Sequence, residues 1–353
     1  MNTTIVIIGA GLSGLLTAYR LQELGFNVKV LEARSRIGGR IHTVESNKTK
    51  VEMGATWFND SHYHLLDVIE EFNVPYFEQF MTGISYFQTF SNVPPQEIAV
   101  PSDSPSYRFK NGTVDLIDAI FSKLAPETVL LNEKVDKVIF EKDKAKVVTK
   151  SHTLVTDVVI STLPPAVLID QIDFSPSLPN ELLAVAEHTH TWMQDSIKVA
   201  LTYKKPFWRA QGKSGIIFSN VGPLTEFYDQ SNVENNSFAL VGFASGSCAR
   251  FTKEQRIEKI EAQLKMVFGD DALHYEAYHE TAWFNEEFTK SDMQADHLFP
   301  HQNGGHAVFS KPLNGNKLFI SGAETSKHHS GYMEGAIFAA ESVVAKLKKL
   351  NNK

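Results

Sequence analysis

Three glycines and one acid near the start of the chain carry the clearest chemistry. Gly9, Gly11 and Gly14 stand in a G-x-G-x-x-G spacing, and Glu32 follows Gly14 by 18 positions (32 − 14). Where a strand turns into a helix, this pattern binds a dinucleotide. Gly9 allows the tight turn, Gly11 lets the backbone approach a pyrophosphate at the positive helix end, and Gly14 lets helix and strand pack closely. Leu12 and Ser13 belong to the same phosphate-facing turn. Glu32 would take the ribose hydroxyls, and its charge repels a 2′-phosphate, which disfavours NADP. A second glycine-rich stretch lies near the other end, with Gly322-Ala323-Glu324-Thr325 followed by Gly331-Tyr332-Met333-Glu334-Gly335-Ala336. A helix opening there offers unpaired N–H groups to an electron-rich ring carbonyl as readily as to a phosphate. Two such sites in one chain imply an extended cofactor.

The elements that must hold these residues are legible around them. Thr4–Ile8 is β-branched throughout and predicts a parallel strand buried on both faces. Apolar residues at helical spacing predict a helix over 15–24 that stops at Gly25, and a second strand spans 28–31. The C-terminal counterpart is a strand over 317–321 and a helix from about Tyr332. Between them, the Pro/Ser-rich stretch 93–105 reads as a surface crossing between domains, and a helix is expected over 114–124. Strands over 129–131, 134–140, 145–150 and 157–161 read as an antiparallel meander returning to a buried strand, with mixed α/β structure to about Ala282 and no internal repeat.

A chain of 353 residues with 42% hydrophobic and 21% charged residues excludes disorder and fibre and suggests about two domains. The single Cys248 excludes an internal disulfide, a four-cysteine zinc site and a C-x-x-C pair, and fits a reducing cytoplasm. A net charge of −7 without a long basic block argues against strong nucleic-acid binding. No Lys or Arg precedes the apolar start, and no run reaches the roughly 18–20 apolar residues of a membrane span, so a soluble protein is expected. His62/His64 and His188/His190 have i,i+2 spacing with no ordered third ligand, and His328-His329 sits in the second glycine-rich stretch, so no metal site is expected.

The first motif continues as Glu32-Ala33-Arg34-Ser35-Arg36-Ile37-Gly38-Gly39-Arg40 and then Glu52-Met53-Gly54-Ala55-Thr56-Trp57. Together with the C-terminal stretch, this resembles the flavin-containing amine oxidoreductase family. Similarity extends over Val135, residues 157–165, Ser196-Ile197-Lys198, residues 204–209 and Trp283, so it spans nearly the whole chain, and it is greatest to the monoamine and polyamine oxidase branch. The resemblance implies an α/β fold in which a Rossmann-like FAD-binding domain of the glutathione-reductase type (1–77, 107–187 and 286–353) is interleaved with a mixed α+β substrate domain (78–106 and 188–285). FAD would lie extended, with pyrophosphate over Gly11 to Gly14, ribose on Glu32 beside Ala33, and adenine against the backbone of Val135. Arg34 and Arg40 would hold the phosphates and the ribityl side, because a guanidinium fork matches phosphate oxygens. Gly38 and Gly39 would leave room for the flavin. Gly54, Ala55, Thr56, Gly322, Glu324, Gly331, Met333 and Ala336 complete that side.

Residues 196–203 alternate, with Lys198 beside Ser196, Ala200 and Thr202 on the more polar face. By composition alone such a lysine points to water. By resemblance it is the family lysine that holds a water against flavin N5, where a cation promotes reaction with oxygen. Trp283 and Tyr332 would stand nearest with it, Tyr332 as one wall of an aromatic cage. Met293 or a neighbour falls where a second tyrosine is often found, and Trp57 reads as core. Asp292 falls about where some relatives carry a flavin-linking cysteine, so FAD should be noncovalent. Only 53 positions (111 − 58) separate Phe58 from Asn111, too few for the helical roof usual over the substrate. The expectation is an FAD-dependent oxidase of a small-molecule amine, or of a bulkier substrate in an open site, with O2 as acceptor. A desaturase of a bulky substrate and a non-catalytic FAD-binding protein stay open beside it.

Overall fold

In the computed structural model, residues 3–100, 105–295 and 298–351 are described. Thr4–Ile8 is the centre of a five-stranded parallel sheet, flanked by Asn27–Leu31 and Val129–Leu130 on one side and by Val158–Ser161 and Leu318–Ile320 on the other. The alternation of a strand divides its residues between two cores. Ile5 and Ile7 pack under the helices Leu12–Glu23 and Met333–Asn351, while Val6 and Ile8 pack with Val138, Val147 and Leu168 on the opposite face. Both faces are therefore covered, which is why these strands read as near-continuous apolar runs.

The meander is present as Val135–Phe140, Ala145–Thr149 and Thr153–Thr156 in antiparallel register, with Asp173–Ser175 added in parallel at the edge. Residues 129–130 leave it and join the parallel sheet instead.

The second large sheet has seven strands in the order Ala277–Ala282, Ile197–Tyr203, Phe238–Ala244, Leu224–Asp229, Lys213–Ser219, Ile84–Gln88 and Gln96–Ile98. The stretch expected as a crossing is thus partly a strand, since Gln96–Ile98 pairs with Ile84–Gln88, and residues 101–104 lie outside the described residues. Ile197, Val199, Leu201 and Tyr203 face an apolar core with Trp208, Phe227 and Leu264. Their neighbours Lys198, Ala200 and Thr202 face inward as well, and all seven residues of the strand are buried.

Between Phe58 and Asn111 the described chain holds a single α-helix, Tyr63–Glu71, and short strands. Among the described residues no helix is long and apolar enough to cross a membrane.

Candidate active site

One cavity of about 340 Å³ runs from Glu32 and Val135 at one end to Lys198 and Tyr332 at the other. Both glycine-rich stretches border it, because the parallel strands Thr4–Ile8 and Leu318–Ile320 deliver their C-terminal ends to the same edge of the sheet. Ligands of open α/β sheets bind at that edge.

The fit of FAD rests on what the backbone offers there. The helix Leu12–Glu23 opens at Gly11 with no side-chain cap and no acidic residue in its first turn. The contrasting helix Lys253–Phe268 is closed by a Thr252–Gln255 capping box. The first helix is thus left with free N–H groups aimed past Gly11, as an anion site requires. A Cβ on Gly11 would stand 3.9 Å from Gly38 O and 4.0 Å from Gly39 Cα, so the glycine leaves a groove between two backbone segments. Gly9, which also lines the cavity, sits at φ +103 and serves the turn, while a Cβ on Gly14 would lie 2.0 Å from Gly9 O, so Gly14 serves the packing rather than the cavity. Glu32 is 4% exposed and accepts from the N–H of Ala10 at 2.8 Å and of Arg34 at 2.9 Å. A carboxylate has about four acceptor positions, so it keeps capacity for ribose hydroxyls. Ala33 and Val135 line the same end.

The two arginines expected on phosphate line the cavity but are anchored elsewhere. Arg34 donates through Nη2 to Glu286 at 3.2 Å and Thr289 at 3.1 Å. Arg40 forms a bidentate pair with Glu324, at 2.5 and 2.9 Å, and also donates to the Trp192 carbonyl. Glu324 is 1% exposed and therefore acts from behind the wall, fixing Arg40. Glu334, in the same helix as Met333, also turns away from the cavity and caps the helix Tyr63–Glu71 by accepting from the N–H of Leu65 at 2.7 Å.

Lys198 is wholly buried at the cavity wall. Its Nζ donates to the Gly54 carbonyl at 3.1 Å and to Thr56 Oγ1 at 2.9 Å, and lies 4.3 and 4.2 Å from the ring centroids of Trp57 and Phe243. Burial pushes the Lys198 amine down to about 7, with Glu52 and Glu226 opposing that shift. Trp57, expected as core, is therefore part of the wall. Its indole is locked by Gln79 Oε1 at 3.0 Å.

At the same end of the cavity Gly331, at φ +86, brings Tyr332 against Trp192, and a Cβ on Gly331 would meet Trp192 Cβ at 2.8 Å. Tyr332, Trp192 and His301 form a cluster of rings with centroids 4.7 to 5.5 Å apart. Trp192 packs on Tyr332 and borders the cavity, whereas Met293, which falls where a second tyrosine is often found, is half exposed and does not border it. Glu226 joins the wall beside Phe243 and accepts from Tyr228 Oη at 2.8 Å.

Leu12, Ser13, Gly38, Gly39, Gly54, Ala55, Thr56, Met333 and Ala336 line the cavity as expected. Trp283 does not. It is fully buried, and its indole donates to the Met53 carbonyl at 2.8 Å, so it braces the backbone leading to Gly54 and Thr56. Gly322 also sits behind the wall, where a Cβ would stand 2.7 Å from Leu163 O. Trp192 and Glu226 escaped the sequence reading because each lies outside any motif, and only the pairing of distant strands brings them to the cavity.

Known proteins share this chain's sequence pattern and its fold. The family description "Flavin containing amine oxidoreductase" matches residues 12–93 and 82–347. Amine oxidase [flavin-containing] B of Bos taurus is 24% identical over 451 aligned positions, covering 96% of this chain and 84% of that protein. The probable flavin-containing monoamine oxidase A of Dictyostelium discoideum is 22% identical, covering 99% of this chain and 98% of that one. Among solved structures, wild-type putrescine oxidase bound to putrescine superposes with a TM-score of 0.86 at 21% identity, covering 99% of each chain. Cyclohexylamine oxidase from Brevibacterium oxydans IH-35A gives 0.86 at 18%, covering 100% of each. With the family pattern running from the first helix almost to the end of the last, this chain belongs to the flavin-containing amine oxidoreductase family, and it is an FAD-dependent oxidoreductase.

Proposed function

We propose that this enzyme oxidises a primary alkylamine carrying a second cationic group, with O2 as the acceptor. The overall change is loss of a C–H hydride equivalent and an N–H proton to give an imine, formation of H2O2 from O2, and hydrolysis of the imine to aldehyde and ammonia. The observation that carries the amine half of this reading is Glu226, a carboxylate on the same wall as Lys198 and near the Trp192–Tyr332 cluster. Bound FAD would supply the two-electron acceptor.

The chain supplies orientation and charge. The packed rings of Trp192 and Tyr332 offer the amine one aromatic face, Glu226 pairs with its distal ammonium, and Lys198 holds a positive charge where negative charge develops on oxygen. Trp57 and Phe243 keep bulk water from Lys198. Leu12, Ser13 and the groove at Gly11 would receive the pyrophosphate, Glu32 the ribose, and Val135 the adenine. Arg34 and Arg40 would present their remaining N–H groups. The interleaved division of the chain, with FAD-binding pieces 1–77, 107–187 and 286–353 around a substrate domain of 78–106 and 188–285, is supported by the way 84–98 joins the strands of 197–282 in one sheet. A reducing, cytoplasmic setting goes with the lone buried Cys248.

The test is oxygen uptake over a panel of mono- and diamines. A diamine should exceed the monoamine of equal length in kcat/KM by about 10- to 100-fold, the worth of one charge-assisted hydrogen bond. Glu226→Gln should remove that preference while leaving monoamine turnover within a few-fold. Absence of uptake with every amine would turn the reading toward a desaturase or a non-catalytic FAD protein.

A further inference from the structure

A second cavity, of about 160 Å³, lies on the far side of Thr56 from Lys198, and Thr56 lines both cavities. Its walls carry four cations, Lys48 and Lys50 from the hairpin of Thr43–Ser46 and Thr49–Glu52 and Arg108 and Lys110 from the strand Ser106–Phe109 and its end, against two carboxylates, Glu52 and Glu234.

Arg108 is the anomaly. It is 6% exposed, and among the described residues no carboxylate forms an ion pair with it. Its Nη2 donates to the Ser231 carbonyl at 2.7 Å, and its buried Nε has no hydrogen-bond partner among the described residues. The acids near enough to act on it, Asp229 and Glu52, are committed elsewhere. Asp229 receives Arg209 at 2.7 and 3.0 Å, Trp208 Nε1 at 2.6 Å and the N–H of Ser231 at 2.7 Å. Glu52 receives the N–H of Thr113 at 2.8 Å and the hydroxyl of Thr43. Lys110 has a partner, Glu234, at 2.8 Å, whereas Lys48 and Lys50 have no ion-pair partner among the described residues. A buried guanidinium with no ion pair of its own and a free Nε has donors to offer an anion in the cavity.

We propose that this cavity binds a small tetrahedral oxyanion, inorganic phosphate or the phosphate of a monoester, seated between Arg108 and the Lys48–Lys50 hairpin. The volume holds such an ion with a few waters, at about 30 Å³ per water. The site is separate from the cofactor cavity and does not depend on the amine reading. An anion there sits across Thr56 from Lys198, so its occupancy would be felt at the reacting end.

The experiment is isothermal titration of the FAD-loaded full chain, whose dinucleotide groove is already filled, with inorganic phosphate, sulfate and glycerol 3-phosphate at constant ionic strength. Saturable binding of at least one of these is expected, and tighter binding of glycerol 3-phosphate than of phosphate would assign the site to monoesters. Lys48→Ala/Lys50→Ala, two exposed changes that leave the core untouched, should weaken it at least tenfold. Arg108→Gln should abolish it where that variant folds. Lys146→Ala, on a different sheet, should leave it unchanged. No saturable heat, or equal weakening by the hairpin variant and Lys146→Ala, would overturn the proposal.

Discussion

Lys198→Met is expected to slow amine-driven oxygen consumption about 100-fold while anaerobic bleaching of the flavin spectrum by the same amine changes only a few-fold. Removing one preorganised charge stabiliser typically costs about 10²–10³ in rate. Methionine keeps the length and fills the slot between Trp57 and Phe243, so the change removes a charge and two hydrogen bonds rather than packing. Stopped-flow mixing of the pre-reduced enzyme with O2 separates the two halves, and equal losses in both would leave Lys198 with a structural role only. The pH profile follows from the same burial. With its amine held down to about 7, Lys198 loses its charge as pH rises through that value, so the oxygen half of wild-type turnover should fall there. The Met variant should lack that limb.

Stability gives an independent check with its own sign. The unfolded lysine keeps its proton up to 10.5, whereas the folded one releases it near 7. Between those values the unfolded state binds more protons, so stability rises with pH across the window. The penalty of charging Lys198 in the fold is full below pH 7. Lys198→Met should accordingly raise the melting temperature most on the acid side and progressively less as pH climbs toward 10.5.

The contrast between Lys198 and Glu32 shows what local sequence can carry. Gly9, Gly11, Gly14 and Glu32 were legible because a strand, a turn, a helix and a second strand lie within about thirty residues, and each residue acts through backbone geometry set by its neighbours. The same locality exposed Gly331 and Tyr332. Lys198 was different, since its alternation placed it correctly on a face but not inside the molecule. That face is buried only because Gly54 and Thr56, more than a hundred residues earlier, pack against it. Trp192 and Glu226 needed the pairing of distant segments and left no local sign. Trp283 misled for the reverse reason: it is tied to the site through the Met53 carbonyl, one step behind the wall, and its position in the chain cannot distinguish a brace from a contact. The loop lengths were informative on the substrate side, where the short stretch between Phe58 and Asn111 supplies one helix and small strands in place of a helical roof.

Gly11→Val should abolish retention of FAD without unfolding the protein, and it is the substitution that most cleanly separates the two. Gly11 has φ −77 and ψ −177, extended backbone that valine adopts without strain. A Cβ there meets nothing closer than 3.9 Å, so the added side chain occupies only the groove facing Gly38 and Gly39. Its neighbours in the motif behave oppositely. A Cβ on Gly14 would collide with Gly9 O at 2.0 Å, and one on Gly9 would stand 2.7 Å from Thr162 Oγ1 at a positive φ. Gly14→Val should therefore lower the melting temperature of the FAD-free protein by many degrees. Gly11→Val should melt within a few degrees of FAD-free wild type yet carry less than a tenth of its flavin after gel filtration, read from the absorbance near 450 nm. A Gly11→Val protein that stays yellow at wild-type stoichiometry would remove the pyrophosphate from this turn. Loss of both fold and flavin would instead show that the groove is part of the packed core, contrary to the open space the backbone leaves there.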